Sequence, residues 1–248
     1  MKNLLFYTFP VFCFLFLTGC GDASPESAIS RAAALARKGE WKKAAKIADR
    51  TAKKHPELAA AHILRAVTHE QCGNRDIAMD AAGRAAKLEP DNFIAQYTLG
   101  RLYAGDPARS SEAQRVLTRS LGLQRSNDSA RILLCNVVMN ANLPNALSYL
   151  GMISRIPGMI QSAEYWNQRA VCYVRRGDLA NAEKAFLHAL RCDEKNPEII
   201  INVARFYDGC KRHRRNAAKL YRSYLALADA DPAGRAEADA RLAVLDPR

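Results

Sequence analysis

The stretch AEYWNQRAVCYVRRGDLANAEKAFLHALRCDEKN, residues 163–196, decides the fold. Its pattern is typical of two amphipathic helices joined by a short turn at Gly177. Small residues allow the two helices to approach closely, and bulky residues fill the space between one helix pair and the next. The small residues are Ala170, Ala182 and Ala189, and the bulky ones are Trp166, Tyr173 and Phe186.

The same pattern recurs with a period of 34 residues, which separates Gly39 from Gly73 near the start of the chain. A helix pair cannot cover its own apolar face, so a period of this length predicts stacked pairs that share a continuous core. The weakest copy is the fourth, where Cys135 occupies a small-residue site. The predicted repeats are 25–58, 59–92, 93–127, 128–162, 163–196 and 197–231.

This pattern resembles the tetratricopeptide repeat over residues 25–231. The resemblance implies an all-α fold, an α-solenoid wound into a right-handed superhelix of about six helix pairs. Residues 232–248 are predicted to form a C-terminal capping helix over the last apolar face. Asp231 suits the N-cap of that helix, Pro232 suits its first position, and Leu242 and Leu245 share one side.

The amino terminus has the features of an export signal. A lysine precedes an apolar run from Leu4 to Leu17, which is too short for a comfortable membrane span. The sequence LTGC that ends at Cys20 resembles the lipobox of bacterial lipoproteins. That resemblance implies a signal peptide over 1–19, acylation of Cys20 and a lipidated tether over 20–24. The alternative is an ordinary signal peptide that contains a cysteine by chance.

The residue after Cys20 bears on where the protein resides. In well-studied bacterial lipoproteins an aspartate directly after the lipidated cysteine retains the protein at the inner membrane. Here Gly21 holds that place and Asp22 comes one residue later. The resemblance therefore favours an envelope lipoprotein anchored in the outer membrane and facing the periplasm.

Charge and cysteine content restrict the choice of partners. The net charge of +12 suits nucleic acid, anionic lipid or an acidic protein, and an exported protein is not expected to meet nucleic acid.

Five cysteines remain after Cys20, an odd number without a CxxC pair, so no disulfide framework is predicted. One bridge, between Cys192 and Cys210, stays open. The basic run Lys211–Arg215 is either a solvated turn or a contact for anionic lipid headgroups.

No catalytic motif is recognisable, and no segment is left over for a separate active site. His62 and His69, with Cys72 nearby, share a predicted helix and raise the possibility of a metal site. The two histidines fall on packing positions of their repeat, so we interpret them as core residues. The sequence predicts a protein without enzymatic activity, cofactor or metal.

Binding is the favoured function. In the family, the first helix of each repeat lines a concave surface, and the first two repeats offer apolar residues there: Ile29, Ala33, Ile63, Leu64 and Val67. The later repeats offer amides and guanidiniums, which suit the backbone and the carboxylates of an extended peptide. The predicted peptide-binding groove consists of Tyr97, Arg101, Asn136, Asn140, Asn167, Gln168, Arg175, Asn202 and Arg205.

The resemblance implies a membrane-anchored scaffold for other envelope proteins. Lipoproteins of this type serve in outer-membrane protein assembly, in type IV pilus secretin assembly and as adaptors for envelope proteases. Two alternatives remain at this point: an envelope enzyme or metal protein with an unrecognised site, and a self-associating spacer.

Overall fold

The computed structural model describes residues 24–141, 145–210 and 212–246. The signal peptide, Cys20, most of the tether and Lys211 lie outside the described residues. The described chain is helical throughout and contains no strand. Its α-helices are α1 Pro25–Arg37, α2 Trp41–Lys54, α3 Ala59–Gln71, α4 Arg75–Leu88, α5 Phe93–Ala104, α6 Ser110–Leu123, α7 Asp128–Asn140, α8 Ala146–Ile153, α9 Ala163–Arg175, α10 Leu179–Cys192, α11 Pro197–Arg205, α12 Arg214–Leu225 and α13 Pro232–Leu245.

Helices pair in chain order, α1 with α2 through α11 with α12, and α13 packs on α12. The predicted all-α solenoid is therefore confirmed. None of the helices in the described part of the chain is both long and apolar enough to cross a membrane.

Glycine makes the tight turn inside several of the pairs. Gly39, Gly73 and Gly177 have φ of 77°, 79° and 75°, a left-handed conformation that a side chain disfavours. The turns between pairs end in polar caps, such as Asn127, whose side chain accepts a hydrogen bond from the Ala130 amide at 3.0 Å. Equivalent caps begin α5, α9, α11 and α13: Asn92, Ser162, Asn196 and Asp231.

A small residue lies buried in the middle of every first helix of a pair. Each of these positions faces the partner helix, where a larger side chain would hold the two helices apart. The residues are Ala32, Ala66, Gly100, Cys135, Ala170 and Ala204. Cys135 is thus a packing residue, and burial raises the pKa of its thiol to about 12.

Two places depart from the regular repeat. Helix α8 has only eight residues, and Pro157 and Gly158 follow it, the latter with φ of 82°. Proline cannot continue a helix and a left-handed residue ends one, which explains the shortened helix. In the last pair, α11 ends at Arg205 and a π-helical turn, Phe206–Cys210, follows.

The cysteines divide between core and surface. Cys172 lies beside Cys135 in the core between α7, α8 and α9, and its Sγ is 3.4 Å from Met139 Sδ. Cys192 and Cys210 are exposed, and both are free thiols in the structure. The bridge that the sequence left open between these two residues is not formed.

Helix α13 is held on the solenoid largely by polar contacts. Arg241 donates two hydrogen bonds to Asp208, from Nε to Oδ2 at 2.6 Å and from Nη2 to Oδ1 at 2.8 Å. Arg214 donates to the Val244 carbonyl at 2.7 Å, near the end of α13. Leu242 and Leu245 add apolar contact with the C-terminal core. The π-helical turn places Asp208 where it meets Arg241.

We expect Asp208→Asn to reduce the free energy of unfolding at neutral pH by about 1.5–3 kcal/mol, the typical contribution of a hydrogen bond to a charged group. The hydrogen bond from Arg241 lowers the pKa of Asp208 below its usual 3.8. Its contribution is therefore fully present above pH 3.8 and is lost as the pH falls through the lowered value. Denaturant unfolding at neutral and acidic pH measures this difference.

The exposed Asp229, in the connection between α12 and α13, provides the control. Asp229→Asn should change stability by less than about 0.5 kcal/mol at either pH. A deficit of Asp208→Asn that stays constant down to acidic pH would contradict the assignment of its cost to this ion pair.

Candidate peptide-binding groove

The first helices of the pairs form the inner layer of the solenoid. Helix α1 packs directly on α3, α3 on α5, α5 on α7, and α9 on α11. Direct packing between alternate helices brings the predicted groove residues together in two stretches, α1–α7 and α9–α11. Between these stretches, α7 meets α9 through the contact of Met139 with Cys172.

The inner layer is apolar in the first two pairs, as the sequence predicts. Ile63, Leu64 and Val67 on α3 are half-buried, and so are Ile29 and Ala33 on α1. Ile63 also packs against the core shared by α3, α4 and α5. This part of the surface offers apolar contact and few polar groups for a ligand.

Arg101 is already paired within the chain. Its Nη1 lies 2.6 Å from Oε1 of Glu70, and its Nη2 pairs with Oε2 of the same carboxylate. Both side chains are one quarter to one third exposed. This two-point contact links α5 to α3, so the guanidinium that was predicted for a client carboxylate instead holds one from the neighbouring repeat.

Arg205 makes the equivalent contact at the other end of the groove. Its Nε donates to Oε1 of Glu237 on α13 at 2.8 Å, and this hydrogen bond lowers the pKa of Glu237. Arg205 thus joins α11, the last helix of the inner layer, to the capping helix α13.

An amide bridge connects α9 to α11. Asn167 is only 2% exposed, donates to Oε1 of Glu198 at 3.3 Å, and accepts from Nδ2 of Asn202 at 3.3 Å. A buried amide has to find hydrogen-bond partners, and this one finds them in the adjacent repeat. Asn167 therefore supports the groove from beneath its surface.

Three of the remaining predicted residues stay available to a ligand. Asn136 and Asn140 are exposed one turn apart on α7, and Arg175 is exposed at the end of α9. No hydrogen bond joins these three side chains to another described residue. Gln168 is half-buried, as is Tyr97, whose ring stacks on Phe93 with centroids 5.6 Å apart. Of the predicted groove residues, those that are exposed and make no hydrogen bond to another described residue lie on α7 and α9.

Sequence reasoning overlooked the carboxylates that pair with the predicted groove. Glu70, Glu198 and Glu237 lie 31 or 32 residues from their partners Arg101, Asn167 and Arg205. This sequence separation is shorter than the 34-residue repeat by about one helical turn. It therefore places the two residues side by side on neighbouring helices. A search for opposite charges at this spacing could have found the two ion pairs.

The histidines raised as a metal site do not converge. His62 is buried, with Nε2 2.9 Å from the Pro56 carbonyl. His69 lies between Asp49 Oδ1, 2.9 Å from Nε2, and the Asn74 amide, 3.1 Å from Nδ1. The described residues contain no group of three histidine, cysteine or acidic side chains placed to hold a metal ion.

The basic run after the π-helical turn is partly engaged in packing. Arg214 is the residue that donates to the end of α13, whereas Arg212 and Arg215 are exposed. A lipid contact for this run remains a prediction.

Comparison with known proteins agrees with this geometry. Residues 163–196 match the family model for the tetratricopeptide repeat. The described chain is thus an α-solenoid in which this segment matches the tetratricopeptide repeat. No curated protein sequence matches the chain.

Solved structures of such proteins superpose over most of the chain. YrrB, described as a TPR protein with an unusual peptide-binding site, has a TM-score of 0.63 at 19% identity, covering 79% of this chain and 99% of YrrB. PilW, described as a type IV pilus biogenesis factor, has a TM-score of 0.62 at 14% identity, covering 88% and 99%. Pseudomonas aeruginosa PilF has a TM-score of 0.61 at 16% identity, covering 88% and 98%. At these identities the likeness shows the fold alone.

Proposed function

We propose that this protein is a membrane-anchored scaffold of the bacterial envelope that holds an extended peptide segment of a client protein along α7 and α9. The observation that carries the proposal is the set of exposed polar side chains on the inner layer, Asn136, Asn140 and Arg175. An amide both donates and accepts hydrogen bonds, which matches the alternating groups of a peptide backbone.

The ion pairs refine which client fits. Arg101 and Arg205 are neutralised by Glu70 and Glu237, so the groove lacks two of the free guanidiniums that a strongly acidic peptide would need. The amides between them favour backbone recognition, and the apolar inner layer of α1 and α3 favours a client with apolar side chains at one end. The favoured ligand is an extended, weakly charged segment with an apolar end.

The pathway we favour is the assembly of an envelope complex, such as a type IV pilus secretin or outer-membrane machinery. The support is the fold shared with PilW over 88% of the chain, together with the lipobox-like sequence at Cys20. We place the scaffold at the outer membrane, facing the periplasm. Its function requires no catalysis and no cofactor.

Site-specific photo-crosslinking tests the groove. A crosslinker at Asn140 in intact cells should capture a defined envelope protein, and one at Lys184, exposed on α10, should not. Asn136→Ala should reduce capture from position 140 about fivefold, since one hydrogen bond contributes about 1 kcal/mol. Lys184→Ala serves as the control variant. Capture that Asn136→Ala leaves unchanged would refute the groove, and capture of a second copy of the chain would indicate a spacer instead.

Replacing Cys20 by alanine tests the anchor. The acyl chains hold the protein on the membrane, so the Cys20→Ala chain should stay unprocessed or appear in the soluble periplasmic fraction. Fractionation and the mass of the amino-terminal peptide measure the outcome. A mature-length Cys20→Ala chain that remains with the membrane would refute the lipid anchor.

A further inference from the structure

Helix α2 presents a continuous basic face to solvent. Its six lysines and arginines are all exposed, and at about 100° per residue they fall within an arc of about 120°. The opposite side of the helix is buried and consists of small residues, including Ala44, Ala48 and Ala52. Five of them define the α2 basic face: Lys42, Lys43, Lys46, Arg50 and Lys53.

The single acidic residue of α2 does not neutralise this face. Asp49 turns towards α3, where its Oδ1 is 2.8 Å from Arg65 Nε and 2.9 Å from His69 Nε2. Glu40, just before the helix, pairs with Lys43 only. Residues 25–58 contain nine basic and four acidic residues, a net charge of +5, whereas residues 59–92 contain four and five, a net charge of −1. Of the six repeats, the first thus carries the largest net positive charge.

This face lies at the end of the solenoid nearest Cys20. The N-cap Ser24 comes four positions after Cys20, a distance of at most about 14 Å. Helices α1 and α2 form a hairpin, so the end of α2 returns to the start of α1.

We propose that the α2 basic face docks on the anionic headgroups of the membrane that carries the lipid anchor; this inference rests on the proposed function. A polybasic surface is the second signal that commonly accompanies lipidation in stable membrane attachment. Lysines on flexible stems adapt to a fluid charged surface without fixed geometry. The face carries no exposed aromatic residue to anchor a protein partner.

Docking through α2 has a consequence for client access. Helix α2 belongs to the outer layer of the solenoid, so its contact with the membrane leaves the inner layer of α1 and α3 uncovered. The groove then runs away from the membrane, with its apolar end nearest to the lipid.

Amine reactivity in vesicles tests the proposal. The purified, lipidated full chain is placed in vesicles of phosphatidylcholine, with or without phosphatidylglycerol, and treated with a water-soluble acylating reagent. Lys42, Lys46 and Lys53 should react about fivefold more slowly when the anionic lipid is present, and high salt should abolish the difference. Lys184, exposed on α10, should react equally in both.

A matched pair of variants isolates the basic face. Lys46→Glu with Lys53→Glu should remove the protection of Lys42. Lys184→Glu with Arg191→Glu, exposed residues with the same spacing on another second helix, should leave it intact. Protection that survives the α2 variant would overturn the proposal.

The remaining outcomes distinguish a failure of docking through α2 from a failure of the proposed lipid anchor. Equal lysine reactivity in the two vesicle types overturns docking on anionic lipid while the lipid anchor stands. Protection that appears only in native envelopes indicates an acidic protein partner and also overturns it. A mature chain without an acyl group on Cys20 refutes the proposed anchor itself.

Discussion

Phe186→Ala should lower the free energy of unfolding by about 3–5 kcal/mol, the usual cost of removing a fully buried phenylalanine. The ring is 2% exposed in the core of the C-terminal repeats. It packs against Phe206, with ring centroids 5.2 Å apart, and so joins α10 to the end of α11. The cavity would lie between two repeats.

The neighbouring residue Leu187 supplies a matched control. It is 45% exposed on the same helix, so Leu187→Ala should change stability by no more than about 0.5 kcal/mol. Denaturant unfolding measures both variants. Because a solenoid is stabilised mainly by contacts between neighbouring repeats, hydrogen exchange in Phe186→Ala should accelerate in α9–α13 more than in α1–α4. A loss below about 1 kcal/mol, or uniform acceleration, would refute the importance we give to this contact.

Two glycine-to-alanine variants should shift stability in opposite directions. In α5, a Cβ on Gly100 would lie 2.7 Å from both Cγ and Cδ2 of Leu117, which is itself fully buried. Alanine favours a helix by about 1 kcal/mol over glycine, but the clash should outweigh that gain. We expect Gly100→Ala to destabilise the protein by about 1–3 kcal/mol.

Gly83, in the middle of α4, should respond in the other way. A Cβ there meets no atom within 4 Å, so Gly83→Ala keeps the helical gain and should stabilise by about 0.5–1 kcal/mol. The same unfolding measurement applies to both variants. If Gly100→Ala also stabilised the protein, α5 and α6 would not be packed as closely as the structure shows.

The fold was largely predictable because the repeat is defined by residue types that have fixed structural roles. Gly39 and Gly73 are 34 residues apart and adopt the same left-handed turn, so one motif accounts for both. Regular spacing of small residues predicts the closely packed helix pairs in the same way. The shortened α8 was harder to predict, because its end depends on a local proline and glycine rather than on the period.

The sequence predicts which residues lie on the inner helices but not which side chains they contact. Repeat position indicates which side chains lie on an inner helix, and Asn136 and Asn140 are exposed as expected. It does not show which side chain of the next helix meets them. Arg101 pairs with Glu70, and the buried Asn167 accepts a hydrogen bond from Asn202. Such contacts depend on the distance between neighbouring repeats.

The short helix α8 has a mechanical consequence. The scaffold proposed above would bear tension along its length when it holds a client, and a stack of repeats yields at its weakest junction. Helix α8 buries only Leu150 and Ile153, whereas α10 buries four residues. Under load, the chain should part between α8 and α9, which would separate Asn136 and Asn140 on α7 from Arg175 on α9.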